Sequence, residues 1–287
     1  MPILHTAICA ETSQICFCMH SATSAKKRFG MEIKMNTLRF QTACDHVLQL
    51  QQKGTLIGTL SEKTIHAVLK YYLEPNVSYH EIRVGSFFAD VKNEQGIFEI
   101  QTRQFHRLRD KLALFLEEYP VTVVYPIVHH NYLRWIEPET GQIHPPRCSP
   151  KIGTIYHVLP ELYQIKLFLN HPNFRLKLIL LDVSEYRYLD GYGSDRKKRA
   201  TRCDKIPSAI LAEEDFYTQT DFVKFLPNSL PTPFTSRDYH LATKLPAKVA
   251  STALHVLHEK QIIARTGKCG NAFLYKRTIL SHSTDTI

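Results

Sequence analysis

The stretch FFADVKNEQGIFEIQT, Phe87–Thr102, constrains this chain most, because it sets two carboxylates inside runs that otherwise have the composition of buried strand. Asn93 to Gly96 carries the residues of a tight turn, and alternation on either side of it predicts a hairpin. Counting inward from that turn places Lys92 opposite Ile97 and Asp90 opposite Glu99, with Gln101 on the same face as Glu99. Ala89, Val91, Phe98 and Ile100 take the other face. Directly opposed residues have Cβ atoms about 4.5–5.5 Å apart, so two carboxylates there repel unless a cation or a shared proton intervenes. A divalent ion is the simplest remedy, since hard Mg²⁺ prefers carboxylate and carbonyl oxygens. The alternative is a sheet face on which both acids are merely solvated.

The surrounding periodicities supply a frame for that hairpin. Ser61 is placed to cap a helix whose apolar stripe is Ile65, Val68, Leu69 and Tyr72, stopped by Pro75. Glu62 falls in its first turn, a position the helix dipole favours for an acid, and His66 and Lys70 follow at four-residue steps. HEIRV (80–84) reads as a strand before the hairpin, with Glu81 a spare acid that has no partner at a defined spacing. Phe105, Leu108, Leu112, Phe115 and Leu116 mark a second helix that ends before Pro120, and VTVVYPIV from Val121 is a strand buried on both faces. The order helix, three-strand meander, helix, strand predicts an α/β domain over 55–205.

The remainder divides at its prolines and glycines. The first 30 residues hold one acid and no clean helical period and read as a dispensable tail, with Met31 and Met35 following closely, and residues 1–54 together read as a poorly ordered extension. A Pro-rich linker at 137–153 leads to a helix over 154–170 and a strand ending near Tyr188. The segment 190–205 is polar and includes Arg196, Lys197, Lys198 and Arg199, suited either to solvent or to phosphate contacts. After a linker at 206–232, residues 233–278 show a helix capped by Ser236, a break at Pro246, a helix over 247–260 with Val249, Ala253, Val256 and Leu257 inward, and a two-stranded wing. That order suggests a winged-helix-like domain, to which Lys244, Lys248, His255, Lys268, Lys276 and Arg277 give a cationic surface; a tail follows from 279.

Bulk properties narrow the classes. Lys and Arg outnumber Asp and Glu by 36 to 27 in 287 residues, a net charge of +9 that favours a polyanionic partner, with DNA the first expectation. Seven scattered cysteines without a C-x-x-C pair argue against disulfides and zinc ribbons and for a cytoplasmic setting. No apolar run is long enough for a membrane helix, and no Walker-type phosphate loop is present. His129 and His130 read as loop residues and Trp135 as a packing residue.

Glu62 on a helix, Asp90 on one strand and Glu99-Ile100-Gln101 on the next, followed by a helix and a strand, resemble the PD-(D/E)XK nuclease superfamily in a variant ending E-x-Q. More closely, SEKTIHAVLKYY, FEIQTRQFHRLRDKL, RCSPKIG and GKCGNAFLY resemble a family of uncharacterised bacterial proteins, over about 55–277. The superfamily resemblance implies that Asp90, Glu99 and the Ile100 carbonyl hold Mg²⁺ or Mn²⁺, with Glu62 completing the shell, and that the reaction is phosphodiester hydrolysis of DNA or RNA. Gln101 stands where the superfamily has lysine, and an amide carries no charge, so transition-state stabilisation passes to the metal or to Lys70, Arg103 or Arg107. Arg196–Arg199, Lys248 and Lys268 complete the expected nucleic-acid contacts. Two other readings stand beside this one: a nuclease-derived binding module that no longer cuts, and a transcription regulator built on the wing domain.

Overall fold

The protein is described from a computed structural model that covers residues 25–52, 62–189, 191 and 201–278, with side chains defined for 36–51 and from 64 onward. It is a mixed α/β structure dominated by one sheet of seven strands. Strands β1 (His80–Val84), β2 (Phe87–Asn93), β3 (Gly96–Ile100), β4 (Val121–Ile136), β6 (Phe174–Tyr188) and β7 (Arg202–Phe216) follow one another in that order, with β5 (Arg147–Cys148) paired to β4. β2 and β3 run antiparallel, whereas β3 and β4 run parallel with Glu99 beside Val123.

The chain divides into two units, each assembled from three separate segments. The first comprises Met1–Glu81, Pro126–Gly153 and Ile179–Glu213, and the second Ile82–Tyr125, Thr154–Leu178 and Glu214–Ile287. The sequential boundaries expected at 55, 205 and 233 are therefore not those of the units.

In the first unit, helix α1 (Ala25–Gln52) buries Phe40, Ala43, Cys44, Val47 and Leu48, and α2 (Glu62–Leu73) buries Ile65, Val68, Leu69 and Tyr72. Phe40 meets Tyr72 edge to face at 5.6 Å. The expected extension over 1–54 is thus corrected over 25–52, where the spacing Phe40, Ala43, Cys44, Val47, Leu48 is a helical stripe that covers core; its other residues lie outside the described ones. Leu48, Ile136, Tyr186 and Ile206 form a second buried cluster. Ile206 belongs to β7, so the linker expected at 206–232 is also corrected; it holds most of that strand and a 3₁₀ turn at Gln219–Phe225 with Phe222 and Phe225 buried. The Ser61 cap lies outside the described residues.

In the second unit, glycine permits two close approaches that hold the hairpin. Gly96 has φ +120°, and a Cβ there would sit 2.3 Å from the Pro120 carbonyl oxygen, which accepts the Ile97 N–H at 2.9 Å. Gly85, at φ +57°, turns the chain between β1 and β2 beside Leu114. Helix α3 (Arg109–Glu118) lays Leu112, Phe115 and Leu116 inward, with Phe115 edge-on to Phe87. The helix expected over 154–170 is broken into a 3₁₀ turn at Ile155–Val158, α4 (Leu159–Gln164) and a 3₁₀ turn at Lys166–Phe168. Pro160 fits the first turn of α4, where a missing N–H costs little, but would not fit the interior of a longer helix.

Farther along this unit, α5 (Ser236–Thr243) and α6 (Ala247–Glu259) precede the antiparallel pair β8 (Ile263–Cys269) and β9 (Ala272–Arg277). Phe234 and Tyr275 exchange backbone hydrogen bonds of 2.9 and 2.8 Å. The cap of α5 is Thr235, which forms a reciprocal capping box with Asp238, so Ser236 is the first helical residue. Ala250, Ala253, Leu254, Val256 and Leu257 form the buried face of α6, while Val249 is only half-buried.

Candidate carboxylate site on the hairpin

The hairpin register is the one its turn predicts. Lys92 pairs with Ile97 and Val91 with Phe98, which brings Asp90 to the level of Glu99. Here side chains take over part of the ladder: the Asp90 N–H donates to Glu99 Oε1 at 3.3 Å, and the Ile100 N–H donates to Asp90 Oδ2 at 2.8 Å. Each carboxylate is thereby fixed by a main-chain donor of the opposite strand. Glu99 is buried, 2% exposed, and its Oε2 accepts from Lys111 Nζ at 2.8 Å. Burial and then the charge of Asp90 push the Glu99 carboxyl up to about 7, against the downward pull of Lys111.

Lys111 is the residue the sequence reading missed. It stands in α3 three positions after Leu108 and four before Phe115, both buried, so it is a cation on the inward face of that helix. That break in the stripe was the available signal. Asp90, Glu99 and Lys111 thus bring two carboxyl groups and one ammonium together at the hairpin.

The remaining expected residues are distributed as follows. Gln101 turns its amide away, with Nε2 donating to the Arg103 carbonyl at 2.6 Å, while its N–H donates to Val124 at 2.9 Å. Arg103 and Arg107 are exposed on the turn after β3. Lys70 is paired with Glu81 in the first unit, which gives Glu81 the partner its spacing did not reveal. Glu62 opens α2, and its side chain lies outside the described residues, as do Arg196, Lys197, Lys198 and Arg199. Two other cations of the basic segment, Arg202 and Lys205, lie 3.2 and 4.0 Å from the buried Glu185 carboxylate, which partly neutralises them. Lys248 and Lys268 are exposed, and Lys268 Nζ stands 5.0 Å from the centroid of the Phe273 ring. Arg277 instead donates to the Pro227 carbonyl at 2.6 Å. His129 and His130 lie on β4, not in a loop, where their Nδ1–H groups donate to the Gly153 carbonyl and to Asp182 Oδ1.

Among the described residues no group of three His, Cys, Asp or Glu is arranged around one point for a metal. Asp90 and Glu99 offer carboxylate oxygens, the donor chemistry that hard ions such as Mg²⁺ prefer.

Comparison with known proteins places this geometry within a family. A protein of Treponema pallidum (strain Nichols), described as an uncharacterized protein, is 27% identical over 222 residues, covering 77% of this chain and 87% of its own length. No solved structure matches the chain. No helix among the described residues is long and apolar enough to cross a membrane. Residues 63–217, which include Asp90, Glu99 and Lys111, match the family described as Domain of unknown function (DUF8091), and the chain belongs to that family.

Proposed function

We propose that this chain is a metal-dependent nuclease of the PD-(D/E)XK type, hydrolysing phosphodiester bonds of DNA or RNA. The observation that carries the reading is the opposition of Asp90 to Glu99, whose charged form is destabilised by burial first and by that neighbour second. Asp90, Glu99 and the Ile100 carbonyl would hold Mg²⁺ or Mn²⁺. Such an ion, when bound, polarises a phosphate oxygen and lowers the pKa of an attacking water.

The chain's own groups then divide the work. Main-chain donors at Asp90 and Ile100 keep both carboxylates from swinging apart. Lys111 brings the fixed positive charge that Gln101 lacks, from helix α3 and not from β3, and an ammonium there can stabilise charge developing on a phosphate oxygen. Burial of Glu99 excludes water from one side, which strengthens both effects. The order of elements helix, three strands, helix, strand supports assignment to the superfamily, and Phe234, α5, α6 and the β8–β9 pair support a winged-helix-like nucleic-acid mount bearing Lys248 and Lys268.

One observation favours the second reading, a binding module that does not cut. Glu99 is already satisfied by Lys111 and Gln101 by Arg103, a set closed on itself without an ion. The two readings separate on incubation of the purified chain with Mg²⁺ or Mn²⁺ and duplex, single-stranded, branched DNA or RNA. The nuclease reading expects cleavage of at least one, lost in Asp90→Ala and Glu99→Ala while both stay folded. A wild type inert on all four but binding one of them supports the module.

A further inference from the structure

Away from the hairpin, the second unit contains a cavity of about 370 Å³ lined by residues of 169–174, 216–222 and the end of α6, a size ordinary for a small-ligand site. Lys260, the residue that follows α6, is one wall and is only 7% exposed. Its Nζ donates to the Leu169 carbonyl at 2.8 Å and lies 4.6 Å from the Phe222 ring centroid, and Leu169 and Phe222 line the same cavity. Among the described residues no carboxylate pairs with this ammonium, and burial alone lowers its pKa. A buried cation without a counter-charge costs several kcal/mol, which one carbonyl and one ring face only partly offset. A purely structural clamp between α6 and Leu169 would use one of its three donors.

Other donors belong to the lining of the same space. His171 Nδ1 accepts the Asn173 N–H at 3.2 Å, so a neutral ring carries its hydrogen on Nε2. Asn170 donates one amide hydrogen to the Glu259 carbonyl at 3.3 Å and Gln219 one to the Lys260 carbonyl at 2.8 Å, leaving each a second. Several hydrogen-bond donors beside a buried cation suit an oxyanion with several acceptor oxygens, as a phosphoryl group has.

We propose that this cavity is a phosphoryl-binding site, with the Lys260 ammonium as its charge and His171, Asn170 and Gln219 as its hydrogen-bond donors. The site does not depend on the nuclease reading, since it shares no residue with Asp90, Glu99 or Lys111. Its phosphoryl group has two possible sources, free inorganic phosphate and the terminal phosphate of an oligonucleotide.

The test is a titration of the full chain with inorganic phosphate at constant ionic strength, followed by amide resonances in NMR. Saturable shifts confined to residues 169–174, 216–222 and 260–261 are expected, with affinity at least ~10-fold weaker in Lys260→Met, which keeps the aliphatic stem. A wild type without saturable shifts at those amides overturns the proposal, and that result stands even if Lys260→Met does not fold. Equal affinity of the folded variant overturns it as well. A 5′-phosphorylated dinucleotide binding more tightly than both its unphosphorylated form and inorganic phosphate identifies a nucleic-acid end as the source; equal binding of inorganic phosphate and the phosphorylated dinucleotide identifies free phosphate.

Discussion

Glu99 titrates where its surroundings, and not its chemistry, decide. Its carboxyl lies near 7 when folded against an ordinary 4.5, so between those values the folded chain holds the proton and the unfolded chain has lost it. Stability must therefore fall as pH rises through that window. Glu99→Gln should flatten this slope, read from denaturant midpoints between about pH 5 and pH 7, while wild type regains stability above it on addition of Mg²⁺. An unchanged slope in the variant would place the titration elsewhere. Lys111→Met should leave the fold intact yet reduce cleavage by at least ~100-fold, with Lys111→Arg recovering part of it, because the charge and not the stem carries the effect. Asp90 and Glu99 were legible because turn chemistry and period-2 alternation fix a hairpin register from sequence. Lys111 was not, since a helix position gains a partner only once its inward face is known, although the buried Leu108 and Phe115 around it define that face.

Elements show the same division between local and distant causes. The hairpin and α3 follow from patterns within about a dozen residues, and the structure keeps their expected order. The long strands β4, β6 and β7 were read short or as linker, because fifteen or sixteen residues with mixed exposure carry no single period, and their pairing is set by neighbours far off in the chain. The helix α1 went unread because its described stripe, Phe40 to Leu48, belongs to a weakly patterned segment. Two glycines give the hairpin its sharpest test. Gly96→Ala drives a methyl into the Pro120 carbonyl oxygen at a φ that side chains avoid, and should lower stability by at least ~2 kcal/mol. Gly85→Ala meets only the movable end of Leu114 and should cost about 1 kcal/mol. Chemical denaturation checks the order; a larger loss at Gly85 would contradict the account of how the hairpin is held.

Taken as a whole molecule, the chain carries +9 and exposes Lys248 on α6 and Lys268 on β8. Binding to nucleic acid should weaken steeply with salt, and Lys248→Glu should lower affinity nearly equally for all sequences while reducing the logarithmic salt slope by about 1. Loss of affinity for only some sequences would point to base reading instead. The central claim is that opposed carboxylates on β2 and β3 exist to hold a divalent ion. Calorimetric titration with Mn²⁺ addresses it without needing a substrate. Wild type should show a single saturable site, tighter at about pH 8 than at about pH 6 because Glu99 must lose its proton, and weakened at least ~10-fold in both Asp90→Asn and Glu99→Gln. Absence of saturable binding, or an affinity the two substitutions leave untouched, would contradict it.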